Sequence, residues 1–271
     1  MVNTKCCWIF AGLLSAFAAP ALAQSFRVQC PTSTITHPNA GANNAEPAYS
    51  AATYPAGPGS DAGIDYTTGK LRWSRQFRKS DVFSAGNPKS ADTDVGASPN
   101  LWTAHGRDLV GDGDKAGVYH ALDRDTGQVV WESNLSAGAV FGGGLGSGAL
   151  VDGKLIVTSN NGGFSLTAPN TVARAYALDP ATGKVLWRAQ PLPQKIFGPV
   201  SAVPGVAFVG TTAGTYVALD TRTGAQLWSY RAPGMIGGGP SIVDGRLYWG
   251  YGFQFFTGGG DGGLLAFDVP R

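Results

Sequence analysis

The sequence predicts an all-β protein, and three observations point there together: a glycine- and proline-rich composition, a strand-turn-strand segment that recurs along the chain, and further strand pairs joined by D-G or P-G turns. Of 271 residues, 43% are hydrophobic and 14% charged, with 40 glycines and 17 prolines. That is enough apolar material for one sizeable core or two small ones. Many glycines and prolines with little helix-forming sequence favour short strands and tight turns.

The recurring segment reads GIDYTTGKLRW (63–73), HALDRDTGQVVW (120–131), YALDPATGKVLW (176–187) and VALDTRTGAQLW (217–228), with a partial copy, LAFDV, at 265–269. The shared pattern is A-x-D-x-x-T-G-x-x-x-W. Its tryptophans, Trp73, Trp131, Trp187 and Trp228, fall 58, 56 and 41 residues apart, the spacing of a repeat in which each copy is one supersecondary unit. The residues before Asp read as a strand. D-x-x-T-G reads as a tight turn in which the Asp side chain accepts from backbone amides and the glycine (Gly69, Gly127, Gly183, Gly224) takes a positive φ; the following strand ends on the tryptophan. A large ring at one place in every copy suits packing between neighbouring sheets, burying on the order of 200 Å² each. The tryptophans and the turn aspartates Asp123, Asp179, Asp220 and Asp268 are therefore read as structural before chemical.

Between the hairpins lie LVDGKLIVTSN (150–160), SAVPGVAFVGTTAG (201–214) and SIVDGRLYWGYG (241–252). Each runs strand, D-G or P-G turn, strand, and supplies the inner half of a blade. A blade takes about 40 to 60 residues, so the expectation is a partial or small β-propeller of about four blades in residues 59–271.

The start of the chain reads differently. Lys5, an apolar run from Trp8 to Phe17 and Ala21-Leu22-Ala23 form a signal peptide over 1–23, and the run is too short to span a bilayer. Residues 24–58 are polar and poor in apolar alternation, a loosely ordered leader. An exported chain of this kind is periplasmic or secreted. From Gln24 onward it carries 19 Lys and Arg against 18 Asp and Glu, a balance that gives no reason to expect nucleic acid or an anionic membrane as partner. Cys30 is then the only cysteine, so no intrachain disulfide forms, and neither C-x-x-C-H nor zinc spacing is present.

The A-x-D-x-x-T-G-x-x-x-W repeat resembles the tryptophan-docking motif of quinoprotein alcohol dehydrogenases, the PQQ-type propellers that hold pyrroloquinoline quinone. Within that family, TDVGASPNLW (93–102), GRDLVGDGDKAGVYHALDRDTGQVVW (106–131), GGGPSIVDGRLYWGYGF (237–253) and GGLLAFDV (262–269) look like the later half of polyvinyl alcohol dehydrogenases. The resemblance implies about eight blades, a quinone near the propeller axis, a calcium ion bridging quinone and protein, and a carboxylate base. Residues 24–58 then stand where the earlier blades and their glutamate ligand to calcium would be. It also implies two site residues. Asp94 matches the aspartate beside calcium that removes the hydroxyl proton as hydride passes to the quinone, and Lys115 matches the cation that favours negative charge on the reduced quinone oxygens. Asp92 competes with Asp94; a D-x-D turn and a solvated lysine at a hairpin tip are the plain alternatives. The substrate implied is an alcohol or polymeric alcohol, with electrons passing to a separate cytochrome. One stretch departs from the family: Gly144-Leu145-Gly146 offers no side chain to hydrogen-bond a quinone. The rival reading is a non-catalytic propeller scaffold, as in outer-membrane assembly factors, or an inactive fragment whose open blade edges self-associate.

Other constellations are weaker. The run Gly142–Gly148 precedes a strand, so it lacks the helix N-terminus a phosphate cradle needs, and Leu145 breaks G-x-S-x-G. GDGDKAG (111–117) lacks the later bidentate acid of an EF-hand loop. His37, His105 and His120 are isolated in sequence, and His120, at the start of a repeat, reads as a packed or rim side chain. In LYWGYGFQFF (247–256), Tyr248 and Trp249 read as core, and Phe253 to Phe256 stay open between core and ligand wall.

Overall fold

The computed structural model describes residues 60–65, 68, 70–77, 93–163, 170–254 and 261–268. The expected signal and leader segments, Gly69, Asp92, Phe255 and Phe256 lie outside them. Strands β1 (Ser60–Ile64) and β2 (Leu71–Gln76) form a hairpin. Strands β3 (Asn100–Ala104), β4 (Arg107–Gly113), β5 (Val118–Asp123) and β6 (Val129–Asn134) make an antiparallel sheet in chain order. The next sheet holds β7 (Ala149–Val151), β8 (Lys154–Asn161), β9 (Val172–Leu178) and β10 (Val185–Arg188), with β11 (Leu192–Pro193) on β9 beyond β10. A third holds β12 (Ser201–Val203), β13 (Val206–Gly210), β14 (Thr215–Asp220) and β15 (Gln226–Arg231). A last one has three strands, β16 (Ser241–Val243), β17 (Arg246–Tyr251) and β18 (Gly263–Asp268).

These are propeller-type blades, all antiparallel, and no helix occurs among the described residues. The inner hairpins turn on Asp152-Gly153 and Asp244-Gly245, with φ of 50° and 69°, then 50° and 75°. Two consecutive positive φ values make the type I′ turn that matches strand twist. His105-Gly106 makes the same turn between β3 and β4, with φ of 50° and 73°, an inner hairpin that the D-G and P-G signals do not mark.

The register explains the repeat letter by letter. Ala121 faces Trp131, Ala177 faces Trp187, Ala218 faces Trp228 and Gly63 faces Trp73, each beside a one-residue register shift. The shift is a bulge that leaves Arg72, Val130, Leu186 and Leu227 without a cross-strand partner and swings the next residue, the tryptophan, over a small one. The turn aspartate closes the hairpin: Asp123 Oδ1 accepts from the Thr126 amide at 3.0 Å and its hydroxyl at 2.8 Å, and Asp179 Oδ1 does the same with Thr182. The Thr126 hydroxyl, then the backbone amides, hold the Asp123 carboxyl below its ordinary range.

Each tryptophan then reaches the next sheet. The indole N–H of Trp73 donates to the Arg124 carbonyl at 2.8 Å, that of Trp131 to Pro180 at 3.2 Å and that of Trp187 to Thr221 at 2.9 Å. Each acceptor directly follows the turn aspartate of the neighbouring copy. The rings lie on the turn glycines: a Cβ at Gly127 would stand 2.5 Å from Trp73 Cδ2, at Gly183 2.7 Å from Trp131 Cδ2 and at Gly224 2.6 Å from Trp187 Cε3. Only glycine admits that approach. Trp228 meets Phe267 of the last sheet edge-on, with ring centroids 5.1 Å apart.

The core is divided among the sheet interfaces. Trp102, Leu109, Tyr119 and Trp131 meet Leu155, Val157, Tyr176 and Leu178. Ile156, Ala173, Ala175 and Ala177 meet Ala207, Val209, Val217 and Leu219. Tyr216 and Ile236 meet Leu247, Trp249 and Leu265. Trp249 is fully buried as expected, whereas Tyr248 is half-buried, because alternation along β17 turns it to the other face.

Candidate functional site

The turns that follow the second strands and the connections that lead into the next sheet gather at one end of the blades. Here the structure brings Asp94 and Lys115 together. Lys115 donates its backbone N–H to the Asp94 carbonyl at 2.9 Å and its Nζ to Asp94 Oδ2, also at 2.9 Å. Val95 pairs with Asp114 beside them. The lysine side chain is 15% exposed and the aspartate 45%, so the carboxylate is the solvent-facing partner.

Asp114 fixes the turn that carries Lys115. Its Oδ1 accepts from the Val118 amide at 2.8 Å, and its Oδ2 lies 3.1 Å from His120 Nε2, whose Nδ1 lies 2.8 Å from Glu132 Oε1. His120 is 4% exposed, a packed side chain. The glycine-rich connection closes over the turn from the other side: the Ala139 amide donates to Lys115 O at 3.1 Å and the Gly144 amide to Asp114 O at 2.9 Å. A Cβ at Gly144 would stand 3.0 Å from Gly113 Cα, so backbone fills this space. The side chain of Leu145 rests on Gly96.

Two residues at this end carry no local sequence signal. Asn160 is fully buried, and its amide is taken up by backbone, donating to Gly143 O at 3.2 Å and Ile196 O at 2.9 Å and accepting from the Ile196 amide at 2.8 Å. Lys195 is also fully buried, its Nζ donating to Phe141 O at 2.7 Å and Gly162 O at 3.2 Å. Burial pushes its amine down to about 8. A polar residue near the end of a strand and a lysine in QKIFG look solvent-facing in sequence; only the neighbouring sheets enclose them. Phe141, Phe197 and Phe253 meet edge-on in a row across three repeats, with centroids 6.3 and 6.0 Å apart.

The family model described as outer membrane protein assembly factor BamB matches residues 114–269, more than half of the chain. The chain belongs to this PQQ-type repeat family. It is also similar to a polyvinyl alcohol dehydrogenase of Pseudomonas sp, 30% identical over 70% of this chain and 35% of that protein. A second polyvinyl alcohol dehydrogenase, from Sphingopyxis sp. (strain 113P3), is 30% identical over 76% of this chain and 39% of its own length. The chain thus spans less than two-fifths of these relatives. The quinohemoprotein alcohol dehydrogenase of Comamonas testosteroni superposes on 72% of this chain and 38% of its own, with a TM-score of 0.53 at 18% identity, a likeness of fold.

The pair of Asp94 and Lys115 fits the charge pattern a quinone would meet: a carboxylate reachable from solvent beside a cation. The fit to calcium is poorer. That ion takes about six to eight oxygen ligands, whereas among the described residues no group of three His, Cys, Asp or Glu side chains stands ready to hold a metal. Asp94 would supply one donor of such a shell.

Proposed function

We propose that this chain is an exported quinoprotein-type module that oxidises alcohols, polymeric secondary alcohols included, in the periplasm or outside the cell. The contact of Asp94 with Lys115 carries the reading, supported by the family match and by the polyvinyl alcohol dehydrogenases among its relatives. Pyrroloquinoline quinone, when bound, supplies the acceptor for the hydride that leaves the carbinol carbon, and its electrons then go to a separate cytochrome. The chain's own residues handle the rest. Asp94 accepts the hydroxyl proton through the carboxylate that faces solvent. Lys115, held by the turn that Asp114 braces, presents its N–H groups to oxygen that gains negative charge.

A second reading, a non-catalytic propeller that binds other proteins, rests on a different observation. The glycine connection and the Asn160 amide are closed by backbone, which leaves little at this end to hold a planar ligand by its edge.

Titration of the purified chain with pyrroloquinoline quinone and calcium separates the two readings, following quinone absorbance alongside dye-linked oxidation of a secondary alcohol. Saturable binding with turnover is expected. Asp94→Asn should then keep quinone affinity within about twofold and lower kcat by about a hundredfold or more, the contribution of a general base. A folded chain that binds no quinone belongs to the scaffold reading.

A further inference from the structure

Hairpin β1–β2 meets the β3–β6 sheet through ionisable groups. Asp112 stands opposite His120, and His120 opposite Glu132, in the β4–β5–β6 register, so the three share one face. Asp112, Asp114 and His120 are 2%, 1% and 4% exposed. The hairpin lays Phe77 flat on the His120 ring, with centroids 3.7 Å apart and planes 15° apart, and Trp73 pins its other end to Arg124. It also brings Asp61, whose Oδ2 is enclosed without a hydrogen-bond partner among the described residues.

Among the described residues the charged groups here are unbalanced. The sheet contributes Asp112, Asp114, Glu132 and His120; the hairpin contributes Asp61, with exposed Arg75 opposite it in register. His120 already has a carboxylate oxygen at each ring nitrogen, and Asp112 accepts only from the Gly113 amide, at 2.7 Å, among the hydrogen bonds of the described residues. Among the described residues no cation is hydrogen-bonded to Asp112 or to the enclosed Oδ2 of Asp61. Burial pushes Asp112 up to about 8, with Asp61 and Asp114 adding to the effect, and burial raises Asp61 against the pull of His120. The buried phenol of Tyr119 is raised as well, first by burial and then by these two carboxyls.

We propose that hairpin β1–β2 is a pH-sensitive latch, seated on the β3–β6 sheet while Asp61 and Asp112 hold their protons and released as they ionise. The sign follows from proton linkage. A carboxyl raised in the seated state keeps a proton that the released state has already lost. Seating therefore weakens as pH climbs from the ordinary carboxylate range to about 8 and changes little above that. The latch rests on His120 of β5, the strand that leaves the Lys115 turn, and Asp114 joins the two, touching His120 and the Val118 amide.

Hydrogen exchange of the full chain tests this. Deuterium uptake in peptides spanning 60–77, corrected for the intrinsic rate, should be at least about tenfold faster at about pH 8 than at about pH 5, while peptides from β13 to β15 keep their protection. Asp112→Asn and Asp61→Asn each remove one ionisation; either should hold the hairpin protected at the higher pH, and if one variant does not fold the other decides. Uptake in 60–77 that ignores pH, or a pH dependence that survives both substitutions, overturns the latch.

Discussion

Two interfaces in this molecule are built from the same repeat and closed by different chemistry. Between the β7–β10 and β12–β15 sheets the contact is hydrocarbon: Ile156 and three alanines against Ala207, Val209, Val217 and Leu219. Between hairpin β1–β2 and the β3–β6 sheet it is Asp61, Asp112, Asp114, His120 and Glu132, with one aromatic ring on the histidine. The tryptophan bond to the next copy is made at both, by Trp187 and by Trp73. The repeat therefore sets how blades align, and the residues it leaves variable decide whether the seam responds to protons.

The difference can be broken most forcefully at Ile156. Ile156→Ala deletes three carbons from a fully buried side chain and should cost about 4 kcal/mol, equally at acid and alkaline pH, as read from urea unfolding midpoints. Gly183→Ala comes next. It places a Cβ 2.7 Å from Trp131 Cδ2 at a φ of 71°, so both strain and overlap count, about 3 kcal/mol together. Gly153→Ala, at a φ of 69° with nothing within 4 Å, should lose only about 1 kcal/mol. Equal losses at the two glycines would mean that the ring does not rest on the turn.

Lys195 gives an effect of the opposite sign. It neighbours Ile196 in the apolar seam, and burial holds its amine near 8 against an ordinary 10.5. Between those values the unfolded chain holds the proton more firmly, so stability should rise with pH across that window. Lys195→Met should flatten the rise. The hairpin seam loses stability as pH climbs towards 8, so thermal unfolding followed across pH assigns each slope to its own seam.

Much of the fold was legible because its signals are local. D-x-x-T-G turns, D-G turns and a tryptophan at a constant offset each act within about a dozen residues, and they recur. Asp94 and Lys115 are candidates only through family resemblance, since neither a D-x-D loop nor a G-D-G-D-K tip differs locally from a plain turn. Asn160, Lys195 and Asp112 were not legible at all. Their character comes from burial, and burial depends on sheets distant in the chain.

By itself the sequence determined the strands, their turns, the bulge that lifts each tryptophan and the small residue beneath it, because hydrogen bonds and φ preferences between near neighbours decide those features. Only the tertiary structure decided which carboxyls keep protons, which lysine lies inside and which carboxylate Lys115 meets. A charge responds to the dielectric and the partners around it, and here those arrive from strands many tens of residues away.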